Sequence, residues 1–205
     1  MLFRSANGVQ LVCGHTQNML SGVRQLAGLV HGGKYGRVGM VHSWNYTPWL
    51  YRPRMPEELD ESTGGGVVFR QSPHHIDIVR LLAGGMVRSV RAMTLQLDAA
   101  RPVSGAFTAY LEFEDGTPAT IVYSGYGHFD AGEWTGRGGD RSMQGVPLVS
   151  RSASASEQAQ LKESIRYGAE GRSGGQEPDQ GLAPFGLTLV SCEHRSEEHT
   201  SELQS

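Results

Sequence analysis

The sequence predicts an α/β fold of the α+β layer type, in which a large, mostly antiparallel, open sheet has its helices on one face. Two patterns support this prediction. Near the start of the chain a short apolar strand (9–14) precedes a helix, which is the βα unit of layered α/β proteins. Further on, strand-like segments follow a second helix, and Asp115-Gly116 between two of them is a strong hairpin signal.

The first third of the chain contains one helix and one strand of clear periodicity. Apolar residues recur at helical spacing from residue 18 until Gly32-Gly33 ends the helix: Met19, Val23, Leu26 and Val30. Residues 38–46 then alternate with the period of a strand. His42 falls within this alternation, so we interpret it as a sheet-face residue and not as a ligand. Thr47–Thr63 reads as a long loop rich in proline and charge, a kind of segment that is usually functional or disordered.

The most informative segment is a glycine triplet, Gly64–Gly66, followed by a helix start. Glycine lets the backbone pass close to a ligand, since it has no Cβ. Ser72 is expected to be the N-cap and Pro73 the first helical residue, with the helix ending at Gly84-Gly85. Its predicted buried stripe is Ile78, Leu81 and Leu82.

This reading places His74 in the first helical turn, beside the glycines. Asp77 lies one turn further along the same face and Arg70 just upstream. Such a group exchanges a proton with a hydroxyl or carbonyl and holds an anion, and the helix N-terminus favours the neutral imidazole. Asp77 either orients His74 through a hydrogen bond or is a solvated carboxylate. His75 points about 100° away around the helix, so we expect a packed or surface histidine and no shared metal ion.

Three strand-like segments follow the helix, at 86–97, 106–114 and 118–126, and another spans 185–191. The loop after the third strand either walls a substrate pocket or only orders itself, through Tyr126, His128, Asp130 and Trp134. Between that loop and the strand at 185–191, residues 150–181 are expected to form a polar insertion that either contains one short helix or is partly disordered.

Composition excludes several classes of function. The net charge of −3 argues against a nucleic-acid or anionic-membrane partner. No apolar stretch is long enough to span a bilayer. The two cysteines are too few for a disulfide framework or a zinc site, so we expect no metal and a cytoplasmic location.

Both ends of the chain look foreign. Residues 195–205 match one reading frame of a common sequencing adapter, and residues 1–5 match its reverse complement read from a GTG start. We therefore expect residues 1–5 and 195–205 to be adapter-derived, and residues 6–194 to be an internal fragment of a longer natural protein.

Taken together, the glycine triplet, His74 and Asp77 at their spacing, and the helix that follows resemble the substrate-domain motif of the Gfo/Idh/MocA oxidoreductases. Residues 12–15, the next helix and Gly36-Arg37-Val38 resemble the junction between the two domains of that family. The resemblance implies that residues 6–35 hold the last strand of a truncated Rossmann domain and a linking helix. It implies a substrate-binding and oligomerisation domain over 36–194.

The resemblance also implies a function. Family members use NAD or NADP, move a hydride to or from a small-molecule substrate, and often form homodimers or homotetramers through the open sheet face. His74 falls on the position of the family's catalytic histidine. Gly14 and His15 are weak candidates for cofactor contact, because the main site would lie upstream of this chain, which has no G-x-G-x-x-G after a strand.

Arg70 stands four residues before His74, where many members have an aspartate. An arginine stays protonated at neutral pH and so cannot exchange a proton with substrate, but its planar fork matches a carboxylate. With Arg52 and Arg54 it suggests a carboxylated substrate, and the surrounding residues resemble those of dehydrogenases that act on cis-dihydrodiols of aromatic acids. Further expected substrate contacts are Gly65, Gly66 and Tyr126.

Two other classes of function stay open. One is a non-enzymatic sensor of the same fold, which binds ligand or nucleotide to control a partner protein. The other is a metal-dependent hydrolase built on His42, His74, His75 and Asp77.

Overall fold

In the described part of the chain, four helices and six strands make up the regular structure, apart from four short 3-10 helices. A computed structural model describes residue 8, residues 16–127, residue 131 and residues 148–150, 153–165, 185–194 and 196–198. The helices are α1 (Ser21–His31), α2 (Gly66–Arg70), α3 (Ser72–Ala83) and α4 (Ala155–Ser164). The strands are β1 (Val38–Tyr46), β2 (Val87–Leu95), β3 (Ala106–Phe113), β4 (Pro118–Ser124), β5 (Leu187–Cys192) and β6 (Ser196–Glu198).

The strands form one sheet in the order β2-β3-β4-β1-β5-β6. Only the β1–β4 pairing is parallel among the described strands, and the other four are antiparallel. The expected mostly antiparallel sheet is therefore confirmed. The predicted hairpin is confirmed too, since β3 and β4 are joined through Asp115 and Gly116, which has φ 85°.

The two faces of the sheet differ along β1. Val41, Ser43 and Asn45 are buried on the side that α1 and α3 cover. His42 lies on the opposite face, which we call the open face, where its Nδ1 is 2.6 Å from Thr120 Oγ1 and its ring stacks on Trp44. This confirms the interpretation of His42 as a sheet-face residue.

The core lies between the helices and the covered face of the sheet. α1 and α3 contribute Val23, Leu26, Val30, Ile78, Val79 and Leu82, which pack towards Val41, Ile121 and Val190. Leu81, expected in the buried stripe, is half-buried. Met19 is 65% exposed, because α1 starts only at Ser21 and Met19 belongs to the preceding 3-10 helix, Thr16–Met19.

The start of α3 differs from the expectation. The apolar residues after the glycines form a helix, α2, so Gln71 and not Ser72 is the N-cap of α3. The Ser72 hydroxyl instead donates back to the carbonyl oxygen of Val68, four residues earlier. Pro73 keeps its expected place in the first turn, and Gly84, with φ 80°, ends α3.

The segment 47–63 also departs from the prediction of a structureless loop. It contains the 3-10 helices Trp49–Tyr51, Pro56–Leu59 and Glu61–Thr63, and Trp49 and Leu50 are buried. In the polar insertion, α4 is the short helix that the sequence suggested, and residues 166–184 lie outside the described residues.

Several other predictions lie outside the described residues: the first strand at 9–14, His128, Asp130, Trp134 and most of the two ends. Ser196–Glu198 within the closing run pairs with β5, and the foreign origin of that run stays a prediction. Within the described ranges, no helix has the length and apolar character needed to cross a membrane.

Candidate active site

Helix α3 is held against α1 at its C-terminal end. His31 Nε2, in the last turn of α1, lies 2.9 Å from the carbonyl oxygen of Leu81, and the His31 ring also adjoins Gly84. The 3-10 helix 16–19, which leads into α1, contacts α3 as well. The two helices therefore pack against each other, and the turn that precedes α1 packs on α3 as well.

His74 lies on the flank of α3. The buried side of this helix is formed by His75, Ile78, Val79 and Leu82. At about 100° per residue, His74 is turned roughly a quarter of a circle away from that side. It is half-buried, and its ring meets Phe185, just before β5, edge-on at 5.8 Å.

Asp77 lies on the same flank of α3 as His74, three residues further along the helix. Arg70, four residues before His74, is the last residue of α2. Arg70 Nε and Asp77 Oδ2 are each buried, and neither has a hydrogen-bond partner among the described residues. Buried polar atoms are rarely left unpaired in a folded protein. These two atoms therefore mark the flank as a place where a polar ligand would complete the hydrogen bonding.

His75 behaves differently from its neighbour. It is fully buried, and its Nε2 lies 2.6 Å from Ser43 Oγ on β1. Burial lowers the pKa of His75 to about 3, so its imidazole is neutral at physiological pH. Of the two expectations for His75, a packed or a surface histidine, the packed one is confirmed.

The glycine triplet is explained by contacts within the chain itself. Gly66 has φ 79°, and a Cβ there would lie 3.0 Å from the carbonyl oxygen of Ser104. A Cβ on Gly65 would lie 2.6 Å from the carbonyl oxygen of Asp60. Only glycine fits these two positions, because the backbone turns tightly against its own neighbours. A role of Gly65 and Gly66 in holding substrate stays a prediction.

The loop arginines are buried and not solvated. Arg54 Nε donates to the carbonyl oxygen of Trp49 at 2.8 Å, and its guanidinium lies 3.9 Å from the centre of the Trp49 ring. Arg54 Nη1 is 3.3 Å from Glu58 Oε1, and Lys162 of α4 donates to the other oxygen of Glu58.

These contacts shift the pKa values of Arg54 and Glu58. Burial lowers the pKa of Arg54 to about 10, partly offset by the negative charge of Glu58. Burial raises the pKa of Glu58, but the hydrogen bonds from Lys162 and the Met55 N–H and the charge of Arg54 outweigh it and hold that pKa below its usual value. The contacts of Arg54 are thus with buried groups of the protein itself, Trp49 and Glu58. Arg52 is buried as well, and contact of either arginine with substrate stays a prediction.

Tyr126 braces the loop between β2 and β3. Its hydroxyl oxygen accepts a hydrogen bond from the Leu97 N–H at 2.7 Å, and its ring lies against Gly105. Its predicted contact with substrate is untested, and Gly14 and His15 lie outside the described residues.

Asn18 is a polar residue that the sequence analysis missed. It belongs to the 3-10 helix that contacts α3, and its Oδ1 is buried without a hydrogen-bond partner among the described residues. The signal was a short polar turn directly before an amphipathic helix. Asn18 joins Arg70 and Asp77 as a buried polar group available to a ligand.

Two other features do not contribute to this site. An apolar cavity of about 400 Å³ lies under β2, β3 and β4, on the opposite flank of α3, next to Ser72, Ile76 and Arg80. The metal-dependent hydrolase, which would need His42 and His75 at one metal ion, fails on geometry, since His42 is on the open face of the sheet and His75 is on the covered one. Among the residues with described positions, no three His, Cys, Asp or Glu side chains come together to hold a metal ion.

Comparisons with known proteins identify the family. Residues 23–137 match the model of the GFO/IDH/MocA C-terminal domain. A curated relative, the 1-carboxy-3-chloro-3,4-dihydroxycyclohexa-1,5-diene dehydrogenase of Comamonas testosteroni, is 43% identical over 129 residues, which are 63% of this chain and 32% of the relative.

Solved structures of dehydrogenases are similar to this chain as well. A dehydrogenase from Bordetella bronchiseptica RB50 is 35% identical, with a TM-score of 0.77 over 95% of this chain and 51% of its own. GenD2 from gentamicin A biosynthesis, solved in complex with NAD, is 25% identical, with a TM-score of 0.55 over 60% of this chain and 35% of its own. The chain thus spans about half of one of these relatives and about a third of the others. Because the match to the family model, over residues 23–137, covers more than half of the chain, the chain belongs to the GFO/IDH/MocA family.

Proposed function

We propose that this chain is the substrate-domain part of an NAD(P)-dependent dehydrogenase that oxidises a hydroxyl-bearing carbon of a carboxylated cyclic diol. The observation that carries the proposal is the flank of α3. There, the half-buried His74 is preceded by Arg70, which ends α2, and followed by Asp77 on α3, and each of these two residues keeps a buried polar atom unpaired among the described residues.

His74 takes the proton in this proposal. When a secondary alcohol is oxidised, the hydroxyl proton must leave as the hydride leaves carbon, and an imidazole at the end of a helix is suited to accept it. The nicotinamide supplies the hydride acceptor when it is bound. Asp77, one turn along, holds the substrate's second hydroxyl or orients His74.

Arg70 holds the carboxylate. Its Nε is buried and is not used by the described part of the protein, so a planar anion would satisfy it through two parallel hydrogen bonds. The Comamonas relative supports this assignment, because the compound it is named for carries one carboxyl group and two adjacent hydroxyl groups on a six-membered ring. A substrate hydroxyl within reach of the 16–19 turn would donate to Asn18 Oδ1.

The place of a cofactor domain follows from the chain path. The turn 16–19 packs on α3, the helix that carries His74. A nucleotide-binding domain preceding residue 16 would therefore be attached on the side of the sheet where α3 lies. We propose that the complete protein carries such a domain and uses NAD or NADP, as the NAD complex of GenD2 supports. The domain boundaries predicted from the sequence belong to the same proposal.

We also propose a cytoplasmic homodimer or homotetramer assembled through the open face. A cross-strand row on that face has Met93, 63% exposed, at one edge and Trp44 near the middle. Trp44→Glu in the complete protein should convert the oligomer to monomers in size-exclusion chromatography with light scattering. An unchanged mass would contradict this assembly.

The test of function uses the complete protein, obtained by extending the gene upstream of residue 6. Incubation with NAD⁺ or NADP⁺ and a cis-dihydrodiol bearing a ring carboxylate should produce reduced nicotinamide, and the same diol without the carboxylate should react with a much higher KM. Nucleotide binding without turnover on any diol would favour the sensor and overturn the proposal.

A further inference from the structure

We propose that His75 is a positioning residue for His74, acting through a buried chain of hydrogen bonds with Ser43 and Thr188. This inference rests on the proposed role of His74 as the proton acceptor. No part of it requires His75 itself to meet substrate, since His75 is fully buried.

The chain of hydrogen bonds joins α3 to two strands. His75 Nε2 is 2.6 Å from Ser43 Oγ on β1, and Ser43 Oγ is 2.8 Å from Thr188 Oγ1 on β5. Ser43 and Thr188 face each other directly across the β1–β5 pairing. All three side chains are buried, so these hydrogen bonds are not in competition with bulk water.

The direction of the hydrogen bonds follows from the Nδ1 atom of His75. Nδ1 is buried and has no partner within the described residues. A buried N–H without an acceptor is rarer and costlier than an acceptor without a donor. The favoured tautomer therefore carries its proton on Nε2, which donates to Ser43, and the Ser43 hydroxyl donates to Thr188. Burial keeps this imidazole neutral by lowering its pKa to about 3.

Aromatic rings fix the same imidazole from the other sides. His75 meets Phe107, Tyr123 and Phe185 edge-on, at 6.4, 6.3 and 5.3 Å between ring centres. Phe107 and Tyr123 are themselves a stacked cross-strand pair. Hydrogen bonds and ring contacts together set the rotation of α3 about its own axis.

That rotation decides where His74 points. The two histidines are consecutive on α3, so any turn of the helix that moves His75 moves His74 by the same angle. They also share Phe185, whose ring contacts both imidazoles. A proton acceptor displaced by about 1 Å loses as much as 100-fold in rate, so we expect the buried chain to act on the rate of the chemical step.

The test compares two threonines of one sheet in the complete protein. Thr188→Val removes the last hydroxyl of the chain with little change in volume. Thr120→Val is the control, because Thr120 also pairs with a histidine, His42, but on the open face. We expect Thr188→Val to lower kcat about tenfold with both KM values nearly unchanged, and Thr120→Val to leave kcat as it is.

A second pair of variants separates positioning from stability. His75→Phe keeps a ring without the hydrogen bond and should lower kcat by about 100-fold. His75→Gln keeps an N–H donor towards Ser43 and should restore most of that loss. Wild-type kcat in both Thr188→Val and His75→Phe overturns the proposal, as does a fall in kcat that only follows the loss of folded protein.

A failure of the proposed function is recognised separately. If the wild-type complete protein turns over no diol, positioning is read from the NMR signals of the His74 imidazole. The proposal predicts that Thr188→Val shifts these signals and Thr120→Val does not. Unchanged signals in Thr188→Val overturn it.

Discussion

Ser43 Oγ and His75 Nε2 lie 2.6 Å apart in the interior, and this hydrogen bond links the central strand of the sheet to the helix that presents His74. A histidine buried in this way also makes stability depend on pH. The pKa of His75 is lowered from 6.5 to about 3 by burial, so between these pH values the unfolded chain binds a proton that the folded chain does not.

The free energy of unfolding should therefore fall as the pH decreases from about 6.5 towards 3, with His75 contributing up to about 1.4 kcal/mol per pH unit. Urea unfolding at pH 7 and pH 5 measures this loss. His75→Phe has no imidazole to protonate and should lose less stability between the two pH values. Equal losses in the two proteins would show that His75 is not the group responsible.

Gly66→Ala should destabilise the protein by about 1–3 kcal/mol, because φ is positive and the new Cβ meets the backbone of Ser104. Gly28→Ala is the matched control. Gly28 lies on the exposed side of α1 with open space where its Cβ would be, so alanine should stabilise the protein by about 0.5–1 kcal/mol. Thermal unfolding of both variants measures the two changes in stability. Equal changes would contradict the role of the Gly66 backbone conformation.

Glu58→Gln should lower the free energy of unfolding by about 2–4 kcal/mol, since it leaves the buried charge of Arg54 without its counter-ion and releases Lys162. Glu112→Gln breaks the exposed pair with Arg88 and should have a much smaller effect. Denaturant titrations of the two variants provide the comparison. A loss for Glu112→Gln as large as that for Glu58→Gln would contradict this account.

Arg70→Ala should raise the KM of the complete protein for carboxylated diols by about 10- to 100-fold and leave neutral diols nearly unaffected. Arg80→Ala removes an arginine of α3 that lines the apolar cavity, away from His74, and should change neither KM. Steady-state kinetics on a matched pair of diols, with and without the carboxylate, makes this measurement. An equal rise for both diols would remove Arg70 from carboxylate binding.

Local patterns predicted much of the fold, and long-range contacts explain what they missed. Strand β1 and the C-terminal end of α3 follow from alternation and from glycine. Ser72 was expected as an N-cap, but the backbone contact of Gly66 with Ser104 starts a helix earlier, so Gln71 takes that place. No local sequence pattern predicts the contact between Gly66 and Ser104, because the two residues are far apart in the chain.

The site shows the same limit. His74 and Asp77 could be picked out because helical spacing puts them on one flank of α3. Arg54 was expected to contact substrate from a loop. Its burial depends on Trp49 and on Glu58, which Lys162 of α4 contacts from over 100 positions away. Asn18 was missed because its importance comes only from the packing of the 16–19 turn on α3.

The most direct test of the central claim is the turnover of His74→Ala in the complete protein, with a carboxylated cis-dihydrodiol and NAD(P)⁺. The account predicts that kcat falls by about 100- to 10,000-fold while the dissociation constant of the cofactor is unchanged. A variant that folds, binds cofactor and turns over at nearly the wild-type rate would contradict it.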